Sequence, residues 1–171
     1  MEKVQEHIEA HAHMSQEKWI SAVALTTALL AALAALSSLL SGEHANKGML
    51  SQIEASSKWS YYQAKSIKGA QLSSKTELLA VLGHPTSQAD TDKLALYSRE
   101  QAEIKESAEH HEKSAKEEMH THEIFARGVT FFQIAISIAA ISILTKKRVF
   151  WLVSMGFGAV GIVSLVHGLF W

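Results

Sequence analysis

Residues Trp19–Leu40 (WISAVALTTALLAALAALSSLL) run for 22 residues without a charge. As a helix rising about 1.5 Å per residue this stretch is roughly 33 Å long, enough to cross a hydrocarbon core of about 30 Å. Two further apolar stretches, Gly128–Thr145 and Val149–Trp171, close the chain. A lipid interior offers no partner to a backbone N–H or C=O, so such segments must close their own hydrogen bonds, which predicts three helices. This feature constrains the fold more than any other: the chain is expected to be an all-α integral membrane protein.

Averages conceal this. Mean hydropathy is only +0.05 and the net charge is −1, because a polar middle dilutes three apolar segments. Charge is concentrated in Met1–Lys18 and Glu43–Arg127. Without a basic excess, nucleic acid is not an expected partner. There is no cysteine, so disulfides, iron–sulfur clusters and thiol chemistry are excluded. The first residues are acidic and His-rich, lack a basic opening and precede a long apolar run, so Trp19–Leu40 is expected to be retained rather than cleaved as a signal peptide. One proline, Pro85, and nine glycines argue for long helices with almost no strand.

The pattern divides the chain into a polar N-terminal helix or tail (1–18), a first transmembrane helix (19–42), an extramembrane segment (43–127) and two more transmembrane helices (128–145 and 149–171). Trp19 sits where an interfacial anchor belongs. Ala24, Ala28, Ala31, Ala32 and Ala35 make a small-residue face in the first span, which suits close approach of another helix. Within the polar middle, Leu50, Ile53, Ser57, Ser60, Ala64, Ile67, Gln71, Ser74, Leu78 and Val81 alternate at spacings of three and four. Gly83-His84-Pro85-Thr86 then stops the helix. From about Ala89 the same alternation returns at Leu94, Tyr97, Gln101, Ile104, Ala108, His111, Ala115, Glu118, His122 and Phe125.

Two heptad seams around one turn at 83–90 predict a long antiparallel, coiled-coil-like helical hairpin between the first and second spans. The expected register sets Val81 against Leu94, Ala64 near His111 and Ile53 near His122. A seam rich in Ala and Ser buries little, since each Leu contributes only about 2 kcal/mol, so the hairpin is expected to pack against further copies or another protein. Trp59, Tyr61 and Tyr62 lie off that seam and are the expected outer contact. In the last span Ser154, Gly158, Gly161, Ser164 and Gly168 form a groove for a neighbouring helix. The letters of Gly156-Phe-Gly-Ala-Val-Gly161 match a dinucleotide fingerprint, but an apolar span lacks the strand and soluble βαβ unit that the fingerprint requires.

Lys146-Lys147-Arg148, in the short turn between the last two spans, favours the cytoplasmic side, which places the hairpin in the periplasm. Ten histidines suggest two further chemistries. His111, Glu118 and His122 share a helix face at spacings that can ligate a divalent metal. His7, His11 and His13, among acidic neighbours, could make the N-terminal segment respond to pH. Nucleophilic catalysis finds no support: there is no cysteine, no serine in an elbow context and no phosphate loop.

Two stretches carry a resemblance. His13–Lys68, with its WSYYQAKSIK segment, and His122–Val163, which opens HEIFARGVTFFQIAI, resemble the bacterial membrane proteins catalogued as domain of unknown function 4337. The resemblance covers most of the chain. It implies a helical protein of the bacterial inner membrane and brings no catalytic residues or cofactor. The resulting expectation is a non-enzymatic, self-assembling scaffold with lipid and its own copies as partners. An accessory subunit of a larger membrane complex and a channel or transporter-like pore are the alternatives.

Overall fold

The computed structural model describes the backbone of residues 2–170 and the side chains of residues 17–170. His7, His11 and His13 therefore lie outside the described side chains. Among the described residues there are three helices: α1 (Glu2–Val81), α2 (Gln88–Thr145) and α3 (Arg148–Phe170). Each contains a stretch long and apolar enough to cross a membrane. The sequence divides tail, spans and polar middle, yet neither α1 nor α2 breaks at those borders. Nothing there could break it: no proline lies within α1, and Gly42 and Gly48 are isolated helical glycines.

The chain forms two compact units. One comprises residues up to His44 together with those from His120 on; the other is Ala45–Met119.

In the first unit, α3 turns one face inward, with Ser154, Gly158, Gly161, Leu165 and Gly168 buried. These positions alternate by four and three, the spacing of a packing seam. They receive large side chains from the other two helices. A Cβ on Gly161 would lie 2.7 Å from the Phe132 ring, one on Gly168 2.8 Å from the Phe125 ring, and one on Gly158 2.8 Å from Leu30. Phe125, Phe132, Ala135, Leu30, Ala34 and Leu165 form the core. Trp19, Val23 and Ala139 make a second cluster, with Trp151 packed against it. Trp19 is thus buried within the unit rather than turned outward as an interfacial anchor. Its ring also receives the Arg148 guanidinium at 5.9 Å, a cation–π contact. Polar groups in this core bond across helices: the Ser154 hydroxyl donates to the Ala135 carbonyl at 2.7 Å, and Trp151 Nε1–H donates to Thr26 Oγ1 at 3.1 Å. The α2–α3 turn is closed by Lys146, which adopts a φ of 54°.

In the second unit, α1 and α2 run antiparallel. Contacts pair Lys75 with Asp90, Lys65 with Glu100 and Glu54 with His111, and Ser51 with Ser114. This register differs from the sequence expectation. Glu54, not Ala64, meets His111, a shift of about ten residues or roughly 15 Å along the helix. The α1 face differs as well. Every position from Leu50 to Val81 read as its inner seam is exposed, whereas Gly48, Ala55 and Thr76 are buried, with Tyr62, Lys65, Gly69 and Leu72 half-buried between them. On α2 the expected seam is the one turned inward, from Leu94 through Ile104, Ala108 and Ala115 to Phe125.

The turn explains the register. Gly83 adopts a φ of 74°, its N–H donates to Ala80 O, and the His84 N–H donates to Leu79 O. This is the paired bonding of a Schellman cap, which reverses the chain at once. His84–Ser87 then lead back before α2 starts, so α1 overhangs its partner by about one turn, leaving Leu78, Val81 and Leu82 exposed. Gly83→Ala is expected to destabilise this unit by about 1 kcal/mol, because a Cβ is disfavoured in the left-handed region. Nothing lies within 4 Å of that Cβ, so the loss is purely conformational and is read as a lower thermal midpoint by circular dichroism.

Candidate functional site

The metal-ligand trio is not assembled. His111 Nδ1 lies 2.9 Å from Glu54 Oε2. His122 Nδ1 lies 2.9 Å from the Ser41 carbonyl, and Ser41 Oγ donates back to the His122 carbonyl at 3.3 Å. Glu118 is itself engaged. Among the described residues, no three His, Asp or Glu side chains gather as a metal site. The reason is axial: residues 111 and 122 of one helix are separated by about 16 Å, so a shared stripe cannot converge on one ion. His122 instead orders a polar clamp within its unit, beside His44, whose ring stacks on Phe125 at 5.6 Å.

The expected interface residues fall into three environments. Gly158 and Gly161 face inward, and Leu30 and Phe132 of the same chain occupy their groove. Small residues are there to admit bulky neighbours, and these come from within the chain. Ala28, Ala32 and Ala35 are exposed, beside the exposed Leu25, Leu29, Leu36 and Leu39. Of the aromatic trio only Tyr61 is exposed; Trp59 and Tyr62 are half-buried, their rings edge to face at 5.7 Å.

Lys65 is the residue that periodicity alone missed. It sits on the inner seam, with Nζ 2.5 Å from Glu100 Oε2 and 5.6 and 5.2 Å from the Tyr61 and Tyr97 ring centres. Gln101 donates to its carbonyl at 3.4 Å. The hydrogen bond to Glu100 holds the lysine above its ordinary pKa, working against partial desolvation. The signal was present as Tyr61 and Lys65 one turn apart, but a lysine is not a residue that a hydrophobic seam selects.

Exposed surface differs sharply between the two helices of the second unit. On α2 the outer face carries ion pairs one turn apart, Arg99–Glu103, Lys105–Glu109, Glu112–Lys116 and Lys113–Glu117. Such a face is at home in water. On α1 the outer face carries Leu50, Ile53, Ile67, Leu78 and Val81, each 58–84 % exposed, at heptad spacing. Apolar side chains at a/d spacing on one helix are complementary to another helix.

No curated protein and no solved structure matches this chain. A family does, and it includes the three apolar helices and the polar arms between them: over residues 19–171 the chain belongs to the family described as Domain of unknown function (DUF4337).

Proposed function

We propose that this chain is a self-assembling, non-enzymatic scaffold of the bacterial inner membrane, whose copies pair through the outer face of α1. In this reading the three apolar helices span the bilayer, the Lys146-Lys147-Arg148 turn is cytoplasmic, and 45–119 is a periplasmic coiled-coil-like hairpin. The observation that carries it is the exposed heptad stripe from Leu50 to Val81. With Met49 and Leu82, seven large apolar side chains stand 58–84 % exposed along this stretch, a run of bare apolar surface of the kind that marks an interaction site. Ser57, Ser60, Gln71 and Ser74 interrupt the stripe, which suits a partner in water better than lipid.

A second copy fits the charge pattern. Two copies anchored in one bilayer bring their α1 helices together in parallel and in register. Flanking Glu54, Lys68, Lys75 and Glu77 then meet Met49, Gln63, Ala70 and Leu82 of the other copy, so no like charges oppose. The test is the mass of the assembly extracted natively from the membrane. A discrete homo-oligomer supports the proposal. A monomer, or a fixed-ratio complex with other proteins, overturns it and in the second case makes the chain an accessory subunit.

A further inference from the structure

The second unit pairs its cations closely. Lys65, Lys75, Arg99, Lys105, Lys113 and Lys116 each lie within 4 Å of a carboxylate oxygen. Among the described residues of this unit, Lys58, Lys68 and Lys93 have no such partner, and the last two line one groove of about 360 Å³, together with Lys75, Asp90 and Tyr97. The groove is shallow and open to solvent, which suits a small hydrophilic ion rather than an enclosed apolar ligand. Lys75 donates to Asp90 at 2.8 Å, so the one acid in the groove is already satisfied and two positive charges are left over. Lys93 stands in the second turn of α2. Lysines from two helices, Lys68 and Lys75 of α1 and Lys93 of α2, thus line one groove beside Tyr97, and an ammonium is a charge-assisted donor to an anion.

We propose that this groove binds a phosphoryl dianion, with Lys68 and Lys93 as its principal ligands and Lys75 poised between the anion and Asp90. Two like charges lining one solvent-open groove repel weakly, and an anion entering between them removes that repulsion and is attracted to both. Every group it uses comes from one copy, but Lys68 and Lys75 also flank the face proposed above for pairing and Gln71 lies on it, so the assembly mass of each variant is measured beside its binding to tell a lost site from a lost interface. The dianion could be free or the headgroup of an anionic lipid, and the two sources differ in what they reach.

The experiment uses the full chain in phosphatidylcholine nanodiscs, which carry no net anion. Pyrophosphate is titrated by calorimetry, and in a second arm flotation is measured with added phosphatidic acid vesicles, whose phosphomonoester headgroup can carry the dianion. Lys68→Gln/Lys93→Gln is expected to weaken binding at least tenfold, and raised salt to weaken it further. Lys58→Gln removes the cation of a half-buried lysine that also has no ion pair among the described residues and lies outside the groove; it is expected to change nothing. Unchanged helix content by circular dichroism shows that the variants fold. Pyrophosphate binding that depends on Lys68 and Lys93 assigns a free phosphoryl ligand; vesicle capture with the same dependence assigns a lipid headgroup. Absence of both, or binding that the double variant retains, overturns the site.

Discussion

Gly161→Leu is expected to disrupt the packing of the three apolar helices, whereas Gly156→Leu, five residues earlier on the same helix, is expected to leave it intact. The two glycines have the same intrinsic helix propensity and differ only in what they face. A Cβ at Gly161 would lie 2.7 Å from Phe132 Cε1 and 2.8 Å from Cδ1; at Gly156 nothing lies within 4 Å. Phe132 is fully buried, with Phe125, Ala135 and Leu165 in the same cluster, so its ring has no free direction in which to withdraw. Overpacking by a single group typically costs about 1–3 kcal/mol, and leucine adds three more carbons beyond the one that already collides. The expected loss is at or above the top of that range, and thermal melts in mild detergent read it directly. At Gly156, leucine replaces a poor helix former on an exposed face and gains up to about 1 kcal/mol. Phe132→Ala in the Gly161→Leu background supplies the missing space and is expected to recover part of the loss. Equal melting of the two leucine variants would show that the groove is not filled by Phe132.

The same glycines show what could be read from the letters alone. Ser154, Gly158, Gly161 and Gly168 announce a groove, because small residues repeated at four and three have little other use in an apolar helix. Their partner was not legible. Phe125, Phe132 and Leu30 become knobs only once the three helices are folded together, and the sequence has many large apolar side chains to choose from. The apolar helices themselves were readable from length and the absence of charge.

On α1 the polar arm carries two heptad stripes on opposite faces, and hydrophobicity selects the wrong one for packing within the chain. The stripe of Leu50, Ile53, Ile67, Leu78 and Val81 is the more apolar. Yet the face that meets α2 is Gly48, Ser51, Ala55, Tyr62, Lys65 and Gly69. Its partner explains the choice: α2 brings bulk. The Met119 side chain would lie 3.1 Å from a Cβ on Gly48, and Gln101 Nε2 3.2 Å from one on Gly69. A close helix pair is made by fitting large to small, not by matching oil to oil. The register differs from the expected one for a local reason: the cap at Gly83 reverses the chain immediately, several residues before a turn centred near Ser87 would.

Glutamate at both Ile53 and Ile67 is expected to convert the assembly to single copies while leaving each copy folded. Both side chains are 58 % exposed within the chain, so their replacement removes no intrachain core, and helix content and melting of the monomer are expected to stay the same. In a parallel, in-register pair each residue meets its own counterpart, so each substitution buries two like charges against each other. A single unpaired buried charge costs several kcal/mol after relaxation, and every 1.4 kcal/mol is tenfold in affinity. Four such charges in an interface of standard size lower affinity by more than about a thousandfold. Ala102→Glu adds a charge to the exposed, ion-paired face of α2 and is expected to leave the mass unchanged. The readout is mass photometry of natively extracted protein, with wild type, the α2 control and the Ile53/Ile67 variant compared at one concentration. An oligomer that survives glutamate at both positions would move the interface off α1's polar arm and onto the exposed alanines Ala28, Ala32 and Ala35 of its apolar stretch.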